Sequence, residues 1–75
     1  MKLSQVKLNS KCIIKKIEIK TEANKIRLME LGLLTGCEVK VIKRSLFKKT
    51  LLIVFASSCF TLKENVAKEI EVCYA

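Results

Sequence analysis

The side chains able to do chemistry in this chain are four cysteines, seven glutamates and a large surplus of lysine. The cysteines are Cys12, Cys37, Cys59 and Cys73, separated by long gaps with no CxxC pair. Tetrahedral zinc sites draw on short-spaced ligand pairs, so this spacing argues for four free thiols rather than a metal centre. The glutamates are Glu18, Glu22, Glu30, Glu38, Glu64, Glu69 and Glu71. No two are spaced as an acid–base dyad, and Glu18, Glu38 and Glu71 fall on the outward phase of predicted strands. Histidine and aspartate are absent, which removes an imidazole base, an imidazole ligand and any Ser-His-Asp constellation. Two glycines, Gly32 and Gly36, cannot build a phosphate-cradling loop. No catalytic residue, metal ligand or cofactor is expected, and the chain is expected not to be an enzyme.

Basic charge is the next candidate. The chain carries 15 Lys+Arg and 7 Asp+Glu, a net charge of +8. Residues 1–50 hold 13 of the cations against 4 glutamates, so the basic character belongs to the first two-thirds. Lys15-Lys16-Lys20, Lys43-Arg44 and Lys48-Lys49 could meet nucleic acid or anionic lipid. They could equally be the solvated outer face of a small β-protein. Phe55, Phe60 and Tyr74 sit in apolar runs rather than among the lysines, so stacked bases are not expected.

Seventy-five residues allow one domain, expected over 1–75. With 51% apolar residues the chain is well above a disordered composition. Its longest uncharged stretch, Thr50 to Leu62, is too short and too polar for a transmembrane helix and reads as two strands. The opening MKLSQVKLNSKC lacks an apolar signal core. A cytoplasmic protein with reduced thiols is therefore expected.

The elements follow from periodicity. Lys11–Lys20 reads as a strand whose apolar phase switches between Ile14 and Ile17, implying a bulge near Lys15–Lys16. Glu22–Leu31 reads as a short helix with Thr21 as N-cap and Gly32 as its left-handed terminator. Ala23, Ile26 and Met29 form the expected buried stripe. Cys37–Arg44 alternates as a strand, with Cys37, Val39 and Val41 on one face. Ser45–Thr50 is a basic connection. Leu51–Ala56 and Cys59–Leu62 form a hairpin, Lys63–Ile70 one or two helical turns, and Glu71–Tyr74 a closing strand. Short strands at this spacing predict a mostly β chain with short helices, closed as a small barrel. Closure also removes edges, which matters for a run as aggregation-prone as LLIVFA.

The apolar surplus is the most informative feature. Leu33-Leu34 and Leu46-Phe47 lie in connections, where polar residues are the norm, and LLIVFA is apolar on both faces. Such surplus marks interfaces. Leu33, Leu34, Leu46 and Phe47, flanked by Lys48 and Lys49, are the candidate partner-binding residues. The apolar side chains would anchor and the lysines would speed encounter with an acidic surface. Leu33 and Leu34 could instead make the hydrophobic contact that accompanies a helix C-terminus. Self-association through LLIVFA is a further expectation left open.

Residues 27–44, RLMELGLLTGCEVKVIKR, resemble the central signature of the FeoA family, R-L-x-E-L-G-L-x-P-G-x-x-V-x-V-I-x-R. Leu3–Asn9 is similar to that family's opening turn, and Leu62–Val72 to its closing leucine, helical turn and final strand. Thr35 replaces the family's proline, Asn9 an opening glycine, and Lys48, Lys49 and Ala56 stand where its hairpin carries glycines. The resemblance implies an SH3-like barrel and a cytoplasmic accessory of bacterial ferrous-iron uptake. It implies FeoB, a membrane transporter with a cytoplasmic G-protein domain, as partner, and no enzymatic activity. A basic barrel that binds nucleic acid, or a metal-responsive interaction module, is the alternative.

Overall fold

The computed structural model describes residues 1–75. A 3₁₀ turn over Leu3–Gln5 precedes strand β1 (Lys11–Ile17), helix α1 (Glu22–Leu31), β2 (Glu38–Ser45), β3 (Thr50–Phe55), β4 (Ser58–Lys63), the single-turn helix α2 (Glu64–Ala67) and β5 (Ile70–Tyr74). The strands form one antiparallel sheet in the order β4-β3-β2-β1-β5. It wraps around a single core of 16 buried apolar residues.

Two bulges let so short a sheet curl. In β1 the register with β5 shifts between Ile14 and Lys16. Cys12 and Ile14 are buried before that point and Ile19 after it, so the phase switch in the sequence is this bulge. In β2 the register with β3 shifts between Val41 and Lys43. Val39 and Val41 point inward, and beyond the bulge Arg44 stands opposite the buried Leu51. Arg44 is therefore turned toward the core side. Its Nη2 donates to the carbonyls of Ser4 and Val6, both at 3.0 Å, and ties the opening turn to β2. Leu3 and Val6 are buried beneath that tie.

The β3–β4 hairpin turns through Ala56 and Ser57, with Phe55 paired to Ser58. Both turn residues have positive φ, 50° and 67°. That is the backbone of a two-residue type I′ loop, which glycine and asparagine adopt at least cost. Lys49, ending the β2–β3 turn, also has positive φ, at 52°. The sequence here meets glycine-type conformations with a lysine, an alanine and a serine.

The sheet does not close completely. No ladder joins β4 to β5. α2 contributes Val66 and Ala67 to the core where the chain crosses from one edge to the other. The β5 side is shielded by the N-terminal residues, where Lys2 bridges to Glu71 and the Val72 N–H donates to the Met1 carbonyl at 2.7 Å. β4 has no comparable cover. The expectation that closure removes every edge therefore fails at this seam.

Helix α1 keeps its expected limits but not its expected face. Ala23, Ile26 and Met29 are exposed, and Leu28 is the one fully buried residue of the helix. The cause lies at its end. Gly32 adopts φ 82° and its N–H donates to the Met29 carbonyl, while the Leu33 N–H reaches back to Leu28. These two bonds are the Schellman pattern, and its apolar contact joins the residues at either side of the turn, here Leu28 and Leu33. Seating that pair rotates the Ala23–Ile26–Met29 stripe to solvent. Thr21 precedes the helix without a side-chain capping bond.

Candidate functional site

The structure separates the candidate partner-binding residues. Leu33 is fully buried, so it is corrected from surface anchor to core residue, for the Schellman reason just given. Leu34, the next residue, is 50% exposed. It precedes β2, whereas Leu46 and Phe47 follow it. The eight residues of β2 separate them, about 26 Å of strand at ~3.3 Å per residue, so they do not share one patch.

The β2–β3 tip is the sharper feature. Leu46 is 80% exposed and Phe47 97% exposed, and Lys48 and Lys49 are exposed beside them. The turn is ordered locally, since the Lys48 N–H donates to Ser45 Oγ at 3.2 Å. None of the four side chains makes a hydrogen bond or ion pair. A phenylalanine held this far into water on a fixed turn gains nothing for the isolated fold. Large apolar side chains in that position are the usual anchors of an interface.

The other chemistry-bearing residues are spread out. Cys12 is buried, Cys37 and Cys73 half-buried and Cys59 exposed, all as free thiols. Burial pushes the Cys12 thiol pKa up, which disfavours the reactive thiolate. No three His, Cys, Asp or Glu side chains gather where they could hold a metal ion. Of the basic clusters, Lys43-Arg44 is divided, because Arg44 is spent on the Ser4 and Val6 carbonyls. Tyr74 is likewise engaged, its hydroxyl accepting from the Lys7 N–H at 3.0 Å.

A small ionic cluster staples the two ends of the chain. Glu71 accepts from the Met1 ammonium at 2.6 Å and lies 3.0 Å from Lys2 Nζ. Those hydrogen bonds, the ammonium's first, hold the Glu71 carboxyl below the usual carboxylate range. The same contact with Glu71 raises Lys2.

One feature escaped the sequence altogether. Between α1 and the outer edge of β4 lies a groove of about 390 Å³. Its floor is Leu28, Leu31, Phe60, Leu62 and Val66, and its rim carries Arg27 and Lys63. The lining residues come from three separate stretches of sequence (24–31, 50 and 60–66), so no local motif could announce it. No helix in the structure is long and apolar enough to cross a membrane.

Comparison with known proteins agrees with this architecture. No curated protein matches the sequence. The chain superposes on the solution structure of the FeoA protein of Chlorobium tepidum with a TM-score of 0.89 and 27% identity, covering 99% of this chain and 70% of that one. It matches iron(II) transport protein A of Clostridium thermocellum with a TM-score of 0.88 and 24% identity, covering 100% of this chain but only 46% of that one. It matches zinc-complexed FeoA of Stenotrophomonas maltophilia, described as an SH3 domain protein, with a TM-score of 0.82 and 26% identity over 97% of this chain and 89% of that one. The curled five-stranded sheet is thus an SH3-like fold. The FeoA domain family matches residues 1–73, and the chain belongs to the FeoA family.

Proposed function

We propose that this chain is an accessory of ferrous-iron uptake that acts by protein–protein contact with the cytoplasmic part of the FeoB transporter. Family membership supports the iron-transport role. The observation that carries the contact is Leu46-Phe47, raised on an ordered hairpin tip and almost wholly in water beside Lys48 and Lys49. Desolvating a phenylalanine and a leucine in a partner's pocket supplies affinity, and the flanking ammonium groups favour an acidic partner surface and raise the on-rate. Leu34, at the other end of β2, belongs to a separate and smaller exposed patch. The protein works in the cytoplasm at the inner membrane face, held there by its partner. No catalytic step is assigned to it.

The test is the affinity for the isolated cytoplasmic domain of the cognate FeoB. Phe47→Asp and Leu46→Asp each weaken binding at least about tenfold, the lower range for an interface anchor. A nucleic-acid-binding protein would instead bind an oligonucleotide with a steep log–log salt slope. Binding of the FeoB domain unchanged in both variants contradicts the placement at the tip.

A further inference from the structure

The groove between α1 and β4 has three properties that belong together. First, it runs along a strand edge. Its wall includes the consecutive residues Phe60, Thr61, Leu62 and Lys63. Alternate residues of a strand face opposite sides of the sheet, so a cavity touching four in a row reaches round the strand edge, and at the Lys63 end it extends to Thr50 of β3. Second, that edge is free. β4 ends the sheet, and none of the backbone hydrogen bonds outside the regular elements involves Cys59–Leu62. Third, its rim is cationic and unpaired. Arg27 and Lys63 have no carboxylate partner among the four ion pairs of the molecule.

The neighbouring helix is set back. α1 buries Leu28 alone and leaves the rest of its apolar side chains exposed or lining the groove. The far wall of the groove is thus present but unfilled. An exposed strand edge is a template for another strand, and proteins normally blunt one that has no use. Here the edge is flanked by apolar floor and cationic rim instead.

We propose that the β4 edge receives an extended, acidic and apolar segment of a partner protein, added as a sixth strand between β4 and α1. Its backbone pairs with the outward N–H and C=O groups of Cys59–Leu62. Its alternate apolar side chains fill the space over Leu28, Leu31 and Phe60, and its carboxylates meet Arg27 and Lys63. Main-chain pairing then supplies affinity and the side-chain alternation supplies specificity. A second copy of this chain is the poorer occupant, because each copy carries +8 and the rim of one would meet the excess cations of the other.

The proposal rests on the partner-binding reading above and extends it. The β3 residue Thr50, next to the hairpin tip, also lines the groove, so one partner can hold both.

The experiment is an amide NMR titration of the whole protein with a capped hexapeptide of alternating Glu and Val. The expected result is saturable shifts confined to Asn24–Leu31 and Cys59–Lys63, with slowed amide exchange at β4. The same peptide with Lys in place of Glu, or N-methylated at alternate amides, does not bind. Arg27→Glu weakens the interaction about tenfold, as loss of a facing charge pair should. Lys15→Glu on β1, with the same change in net charge, weakens it less than about threefold. Shifts scattered over the lysines of β1 and the hairpin tip, equal weakening by both variants, or full binding of the N-methylated peptide overturns the proposal. If peptide binding holds while the FeoB domain fails to bind, the groove stands and the FeoB reading falls. If Phe47→Asp abolishes FeoB binding while Arg27→Glu leaves it intact and the peptide does not bind, the groove falls and the FeoB reading stands.

Discussion

The Leu33 N–H donates to the Leu28 carbonyl at 3.0 Å, and both side chains are buried. This single turn ends α1, sets which face of the helix meets the sheet, and decides which of two adjacent leucines is core and which is surface. It depends on Gly32 at φ 82°, where an added Cβ would meet only Phe55 at 3.8 Å. Gly32→Ala is therefore a backbone effect, not a clash, and should cost about 1–2 kcal/mol in urea denaturation. Leu33→Ala, which empties a core position, should cost about 2–5 kcal/mol. Leu34→Ala should stay within about 0.5 kcal/mol of the parent.

Arg44 is a structural cation. Removing its guanidinium leaves the Ser4 and Val6 carbonyls without their partner and frees the opening turn from β2. Arg44→Ala should destabilise by about 2–3 kcal/mol, in the range for hydrogen bonds to a charged group. Arg44→Lys should recover part of that loss, because both bonds leave the single Nη2 and an ammonium also offers several donors, on a differently shaped side chain. Lys43→Ala, exposed beside it, should be near neutral. Thermal unfolding of the three variants checks the order.

Ala56 occupies a left-handed turn position at φ 50°. Ala56→Gly should stabilise the protein by about 1 kcal/mol, the relief of a left-handed backbone less the entropy glycine regains when unfolded. Asn9 also has positive φ, at 66°, but asparagine tolerates it, so Asn9→Gly should give less. Midpoints of urea unfolding at unchanged slope are the readout.

Glu71 links stability to pH on the acid side. Its carboxyl is held below the usual range by the Met1 ammonium and Lys2. A depressed acid contributes stability above its unfolded pKa and loses that contribution as pH falls through its folded one. The midpoint of unfolding should therefore decline below the ordinary carboxylate range, and Glu71→Gln should flatten that decline. Lys2, raised by the same contact, keeps its contribution until pH climbs through its own elevated value at the alkaline end. High salt should reduce both effects, since the pair is exposed to solvent.

What the sequence revealed and what it concealed divide along the reach of each signal. Local signals were readable: the limits of α1, the Gly32 terminator, the β1 bulge and the single inward face of Val39 and Val41. The helical spacing of Ala23, Ile26 and Met29 points to the wrong face of α1, because the contact that orients the helix comes from beyond its end. Leu33 and Leu34 are indistinguishable by hydrophobicity, and only the reverse turn separates them. Arg44 looked like a surface cation until the β2 bulge shifted its phase onto the side of Leu51. The groove was invisible because chain topology, not sequence proximity, brings Arg27 and Lys63 to the lining of one cavity. Phe47 was readable as a misfit in its connection, and the structure leaves it in solvent.

The most direct measurement is an amide NMR titration of the labelled full chain with the cytoplasmic domain of the cognate FeoB. Saturable shifts centred on Leu46, Phe47, Lys48 and Lys49 are expected, lost in Phe47→Asp while the variant's own spectrum remains that of the folded protein. Saturable binding whose shifts avoid the β2–β3 tip, or binding undiminished in Phe47→Asp, would contradict it.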